Sequence, residues 1–187
     1  MDFKMIVSAF LATIAVAGCS NGNNSGNVVW KNYSARFVKD KLNTEIILPD
    51  SLFLPHHASK SEIMMMTKSA KVLFCVDVEC GTCLGKFHYW KKFALGFRSK
   101  YGIDAPILAI VKAENRKYAN RIVNDNWTGE WIFDKNSTFI HCNDIEDDRF
   151  QAMLLDSDNI IRIIGNPIFN EPLGNLYENT LSKMLSK

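Results

Sequence analysis

The sequence predicts an α/β fold, a three-layer sandwich in which helices flank a central mixed sheet, with a short strand extension on its N-terminal side. Two observations predict it. Residues 71–78 (K-V-L-F-C-V-D-V) and 106–112 (P-I-L-A-I-V-K) are nearly continuous apolar runs of strand length, the pattern of strands buried on both faces. Each is followed by a segment whose apolar residues recur three and four apart, the period of an amphipathic helix. Strands alternating with helices on an apolar sheet make the layered α/β pattern.

Taken in order, residues 42–54 read as strand material around a turn. Ile46, Ile47 and Leu48 precede Pro49-Asp50-Ser51, and Leu52, Phe53 and Leu54 follow. Residues 59–68 read as a short helix, with Ser59 as cap and Glu62 three residues on. Its Met64-Met65-Met66 run reads as core filling rather than a metal-binding cluster. After the first buried strand, Leu84, Phe87, Trp90 or Lys91, Ala94 and Phe97 mark one helix face. After the second strand, residues 114–126 read as a helix with Tyr118, Ile122 and Val123 on one side. Residues 131–133 and 138–140 are short and fit either state. Residues 151–155 and 160–164, joined by Asp156-Ser157-Asp158-Asn159, read as a hairpin with a polar turn, and 173–185 as a closing helix.

A length of 187 residues favours one folded domain, here expected over residues 28–187 with its core at about 70–187. Apolar residues at 47% and charged residues at 22% are enough for a packed core and a solvated surface. The 22 basic and 20 acidic side chains leave a net charge of only +2, so no nucleic-acid partner is expected, since phosphate binding needs clustered Lys and Arg.

Residues 1–18 have the composition of a secretory signal: Lys4, partly offset by Asp2, then an uncharged apolar run over residues 6–17. That run is too short to span a bilayer, which takes about 20 residues. It ends in Val16-Ala17-Gly18-Cys19, which resembles the lipobox of bacterial lipoproteins. The resemblance implies cleavage before Cys19 and acylation of Cys19, giving a membrane partner through lipid and a place in the cell envelope, with the periplasm as the expected side. Several acyl chains make such anchoring stable. Residues 19–27, rich in Asn and Gly, read as a flexible tether. Ser20, Asn21 and Gly22 carry no charge that would single out either envelope membrane.

Of the five cysteines, four lie beyond Cys19: Cys75, Cys80, Cys83 and Cys142. A C-x-x-C between a strand and a helix reads as a redox pair. Two intervening residues let one helical turn bring both sulfurs within bonding distance. The helix N-terminus offers unpaired N–H groups and a positive dipole end to the first sulfur. A thiolate is stabilised there, so Cys80 is the expected nucleophile and Cys83 the resolving thiol.

From about residue 70 onward the chain resembles the thioredoxin-like superfamily, and more narrowly the lipid-anchored thioredoxin-like proteins of Gram-negative envelopes. The resemblance rests on K-V-L-F-C-V-D-V running into Cys80-Gly81-Thr82-Cys83, on the hairpin F-Q-A-M-L-L-D-S-D-N-I-I-R-I-I-G, and on Gly165 closing the last strand. It implies a thioredoxin-like fold and disulfide exchange with a protein thiol or disulfide substrate, without a cofactor or metal. Three positions depart from the family. Phe74 stands where it has a buried acid, and Glu79 where it has an aromatic residue. Phe150 aligns with its cis-proline, which lies against the dithiol and shapes the substrate groove. Phe150 is expected in a trans bond, its ring covering the sulfurs or meeting one partner, with Gly81 and Thr82 completing that groove. Glu79 and Asp77 are expected to oppose a low thiolate pKa.

The remaining residues have plainer readings. Cys75 reads as a small buried hydrophobe, and Cys142, beside His141, as an inert loop thiol. A zinc site at the dithiol would need two further ligands; His88 is two helical turns away and His56-His57 remote in sequence. Two functions stay open: a membrane-tethered thiol–disulfide oxidoreductase, and a non-catalytic binding module that keeps the scaffold and a structural Cys80–Cys83 bond.

Overall fold

The computed structural model describes residues 24–53 and 68–186, and the chain divides into two units between Lys41 and Leu42. The leader with Cys19, His56-His57, the Met64-Met65-Met66 run and nearly all of the helix expected at 59–68 lie outside the described residues. No described helix is long and apolar enough to cross a membrane.

The described part of the first unit is one helix, α1 (Asn24–Lys41). Residues 24–27, expected as the end of the tether, belong to it. Arg36 and Asp40 pair across one turn at 3.7 Å, and the Tyr33 and Phe37 rings meet with the same i,i+4 spacing. Lys39 and Lys41 close the last turn, where positive charge suits the helix dipole.

The second unit runs β1 (Lys71–Asp77), α2 (Gly85–Tyr101), β2 (Ile107–Lys112), α3 (Arg116–Asn126), β3 (Glu130–Phe133), α4 (Thr138–Cys142), β4 (Ala152–Leu155), β5 (Ile161–Ile164) and α5 (Glu171–Leu185). The five strands form one mixed sheet in the order β3-β2-β1-β4-β5. β1, β2 and β3 are parallel, while β4 runs antiparallel to β1 and β5 to β4. The buried strands and the hairpin lie where the apolar runs place them. The two ambiguous segments resolve as an edge strand, β3, and a short helix, α4.

Alternation along β1 sends Val72, Phe74 and Val76 to one face, where they pack with Phe87, Trp90 and Phe97 of α2, Ala119 and Val123 of α3, and Tyr177 and Leu181 of α5. Leu73 and Cys75 point to the other face and are buried as well. There the start of α4 closes over the strand ends, leaving a cavity of about 140 Å³ lined by Cys75, Asp77, Ile110, Lys112, Ser137 and Ile140 among others. Asp134 starts α4: its carboxylate accepts the N–H groups of Thr138 and Phe139 at 2.9 and 3.0 Å.

The N-terminal extension is slighter than expected. Of residues 42–54 the described part, 42–53, makes one antiparallel bridge, Glu45 with Ile160, at the β5 side of the sheet, followed by a 3-10 turn at Asp50–Phe53. The reason is local competition for the backbone. The Ile47 N–H and carbonyl are both taken by the Asn143 side-chain amide, at 2.7 and 2.8 Å, and cannot extend a ladder. The turn signal at Pro49-Asp50 is realised as the 3-10 turn, closed by Leu52 N–H on the Pro49 carbonyl.

Candidate functional site

β1 delivers the chain to the C-terminal edge of the sheet at Asp77, and residues 78–84 turn there before α2 begins. Cys80 and Cys83 lie on that turn with their sulfurs paired as a disulfide and their Cα atoms 5.2 Å apart. They are not on a turn of the helix itself, as the spacing suggests. The segment is held by successive i→i+3 bonds: Cys80 N–H to Asp77 O, Cys83 N–H to Cys80 O, and Lys86 N–H to Cys83 O. These tight turns satisfy the backbone groups at the helix start, where Leu84 offers no capping side chain. Both sulfurs' residues are half-buried. Cys83 packs against the core, and Cys80 Sγ lies 3.2 Å from Thr82 Oγ1. Gly81 and Thr82 are exposed, and a side chain at Gly81 would meet open space.

The acids beside the dithiol do more than repel a thiolate. Burial pushes the Asp77 carboxyl upward, but the Lys112 ammonium at 2.7 Å and the backbone N–H groups of Glu79 and Cys80 outweigh it, holding the group below the ordinary carboxylate range. Glu79 accepts the N–H of Glu114 at 2.6 Å, tying the turn to the loop after β2. Sequence reasoning missed Lys112 because it reads as the last residue of a strand. Only the β1–β2 register, which pairs Asp77 with Lys112, brings the two together.

Phe74 explains the missing acid. Its ring stacks on Trp90 with centroids 5.0 Å apart and meets Phe87 and Trp127 edge-on at 6.0 and 5.4 Å, with 1% of the residue exposed. A carboxylate in that cluster would have no polar partner. Phe150 ends a 3-10 turn at Asp148–Phe150. No cis peptide bond occurs among the described residues, so its bond is trans. Its ring is buried, 6% exposed, with the Arg149 guanidinium 5.6 Å above it, and it offers almost no surface to a partner. Backbone at this loop is what meets β1: the Gln151 carbonyl accepts the Cys75 N–H at 2.8 Å.

Cys75 and Cys142 are free thiols. Cys75 is buried on the cavity side of β1, and desolvation, slightly offset by Lys86, pushes its thiol up to about 12. Cys142 sits at the end of α4 rather than in a loop and is exposed. Its neighbour His141 lies 3.6 Å from Glu146. Among the described residues no group of three or more His, Cys, Asp and Glu is placed to hold a metal ion.

No family model and no curated protein matches the chain. Solved structures do. One is assigned as a protein disulfide isomerase from Bacteroides thetaiotaomicron, at 16% identity and a TM-score of 0.51, covering 67% of this chain and 78% of that one. Another is the reduced N-terminal domain of PilB from N. meningitidis, at 12% identity and 0.51, covering 71% and 96%. A third is yeast Sco1 with copper bound, at 13% identity and 0.51, covering 67% and 83%. Identities this low carry the fold and no more, and with the mixed five-stranded sheet and its flanking helices they show that the chain has a thioredoxin-like fold.

Proposed function

We propose that the chain is a membrane-tethered thiol–disulfide oxidoreductase of the cell envelope, acting on protein substrates through Cys80 and Cys83. The observation that carries this reading is the pairing of the two sulfurs on a half-buried turn between the central strand and α2. In the reducing direction the Cys80 thiolate attacks one sulfur of a substrate disulfide and expels the other as a thiolate, forming a mixed disulfide. The Cys83 thiolate then attacks Cys80 Sγ, the substrate leaves as a dithiol once protonated, and the Cys80–Cys83 bond remains. The reverse sequence oxidises a substrate dithiol, with the same two bonds exchanged. Cys83→Ser halts the cycle at the mixed disulfide, so the variant expressed in cells should carry disulfide-linked proteins on Cys80. Recovery of no adduct that disappears in the Cys80→Ser, Cys83→Ser double variant would defeat the reading.

The tether is the sequence-based part of this proposal. Val16-Ala17-Gly18-Cys19 supports lipid on Cys19 and a periplasm-facing protein. A fatty-acid probe should label wild type and not Cys19→Ala; equal labelling of both would remove the anchor from the account.

A second reading, a non-catalytic module with a structural disulfide, draws on Phe74, whose aromatic cluster excludes an acid from beneath the dithiol. Its mark would be a bond that resists reduction.

A further inference from the structure

The cavity-side end of β1 holds a charge arrangement that the exchange chemistry above does not use. Asp77 closes the strand three residues before Cys80; its carboxylate takes Lys112 Nζ at 2.7 Å and the Glu79 N–H at 2.9 Å, and its backbone carbonyl takes the Cys80 N–H at 3.3 Å. Asp77 is therefore fastened to the turn at two successive residues, Glu79 through its carboxylate and Cys80 through its carbonyl. Lys112 is the residue paired with Asp77 across β1 and β2, so its ammonium is brought to the same place by strand register. The other charges around the pair are Glu79 and Glu114, which act on Lys112, Asp134 at the start of α4, which lines the same cavity, and Lys86 of α2, whose ammonium lies 3.4 Å from the Cys75 carbonyl. The Asp77 and Lys112 side chains are 30% and 44% exposed, one wall of the cavity being formed by them.

We propose that the Asp77–Lys112 ion pair is a positioning device for Cys80, fixing the backbone of the turn that carries it and setting how readily its sulfur ionises. Asp77 supplies the acceptor that holds the turn. Lys112 offsets the negative charge that this acceptor brings to the turn carrying Cys80. The pair deepens the oxidoreductase reading, on which it rests for its purpose, and assigns a role to two residues that lie outside the C-x-x-C.

The two members have opposite electrostatic effects on a sulfur anion, and this is what the test uses. The full chain carrying Cys83→Ser and Cys142→Ser leaves Cys80 as the accessible thiol, and the pH dependence of its alkylation by iodoacetamide, read by mass at Cys80, reports its ionisation. Lys112→Met should move the midpoint up by about half a pH unit, and Asp77→Asn, which keeps an oxygen for the Glu79 N–H, should move it down by a similar amount. The double variant should return near the parent, and Lys112→Arg, which keeps the charge, should stay there. Movement of both single variants in the same direction, or of neither, would overturn the proposal. If Asp77→Asn fails to fold, the half-exposed Lys112 series decides alone: a rise with Met and none with Arg sustains the proposal, and no rise with Met overturns it. The measurement uses no substrate, so it stands apart from the trapping experiment. A dithiol with no exchange partner would end the catalytic reading and leave these shifts as they are.

Discussion

The Tyr177 hydroxyl donates a hydrogen bond to the Gly165 carbonyl oxygen at 2.8 Å, inside the core. It joins α5 to the residue that leaves β5, and the next residue, Asn166, donates its N–H to the Arg149 carbonyl at 3.0 Å, beside the loop that ends in Phe150. Gly165 sits at φ +122°, and a Cβ there would come within 3.3 Å of the Leu173 side chain. One buried bond thus fixes a backbone that only glycine adopts readily. Tyr177→Phe strands the carbonyl and should lower stability by about 1–3 kcal/mol in denaturant titration. A loss below about 0.5 kcal/mol would mean that the carbonyl finds another donor.

Phe74 is the centre of the aromatic core beneath the dithiol turn. Phe74→Ala should cost about 3–5 kcal/mol, the range for truncating a buried aromatic. Phe74→Asp, which restores the acid common in the fold, should be worse than alanine because its carboxylate lies among Phe87, Trp90 and Trp127 without a hydrogen-bond partner. Midpoints of urea unfolding rank the three proteins. Phe74→Asp matching or exceeding Phe74→Ala in stability would show that the cluster admits polar partners.

The four thiols should separate by accessibility. In the reduced, folded protein Cys142 should alkylate at the rate of an exposed thiol, while Cys75 should react only on unfolding, because burial suppresses its thiolate at any ordinary pH. Mass-resolved alkylation at pH 8, with and without denaturant, checks this. Native-state labelling of Cys75 would place a strand-opening motion at the middle of β1.

Lys71 begins β1 fully buried, its ammonium donating to the Ser69 carbonyl at 2.7 Å. Desolvation, partly opposed by Asp156, lowers its pKa from 10.5 to about 8. The unfolded chain then binds the extra proton between those values, so stability attributable to Lys71 rises with pH from about 8 to 10.5 and is at its lowest below 8. At about 1.36 kcal/mol per pH unit the full change is on the order of 3 kcal/mol. The stability of Lys71→Met relative to wild type should therefore fall across that window. A pH-independent difference would show that Lys71 keeps its ordinary ionisation.

Much of this architecture was legible in the sequence because its signals are local. The apolar runs at β1 and β2, the helical recurrence from Leu84 to Phe97, and the Asp156-to-Asn159 turn each declare their element within one short stretch of chain. What escaped depends on distant partners. The Ile47 segment looks like a strand until Asn143, 96 residues away, takes its backbone groups. α4 is started by Asp134, beyond a Ser137 in left-handed conformation at φ 53°, where no adjacent cap marks it. α1 carries no clear apolar stripe to announce it. At the site, the C-x-x-C was plain and the acids beside it were visible, but the cation paired with Asp77 was not. Asp77 reads as a repelling charge until the sheet register sets Lys112 against it. Phe150 reads as a ring that covers the sulfurs or meets one partner, and only the structure shows it buried beneath Arg149 with almost no surface to offer.

The central claim is that Cys80 and Cys83 exchange their bond reversibly with other thiols, and the reduction potential of the pair tests it most directly. Equilibration of the purified protein in thiol–disulfide buffers of stated potential, followed by alkylation and mass analysis of Cys80 and Cys83, gives that value. The account predicts a potential well above about −300 mV, in the range of catalytic dithiols. A value below that bound, with the bond resisting reduction as structural disulfides do, would contradict it.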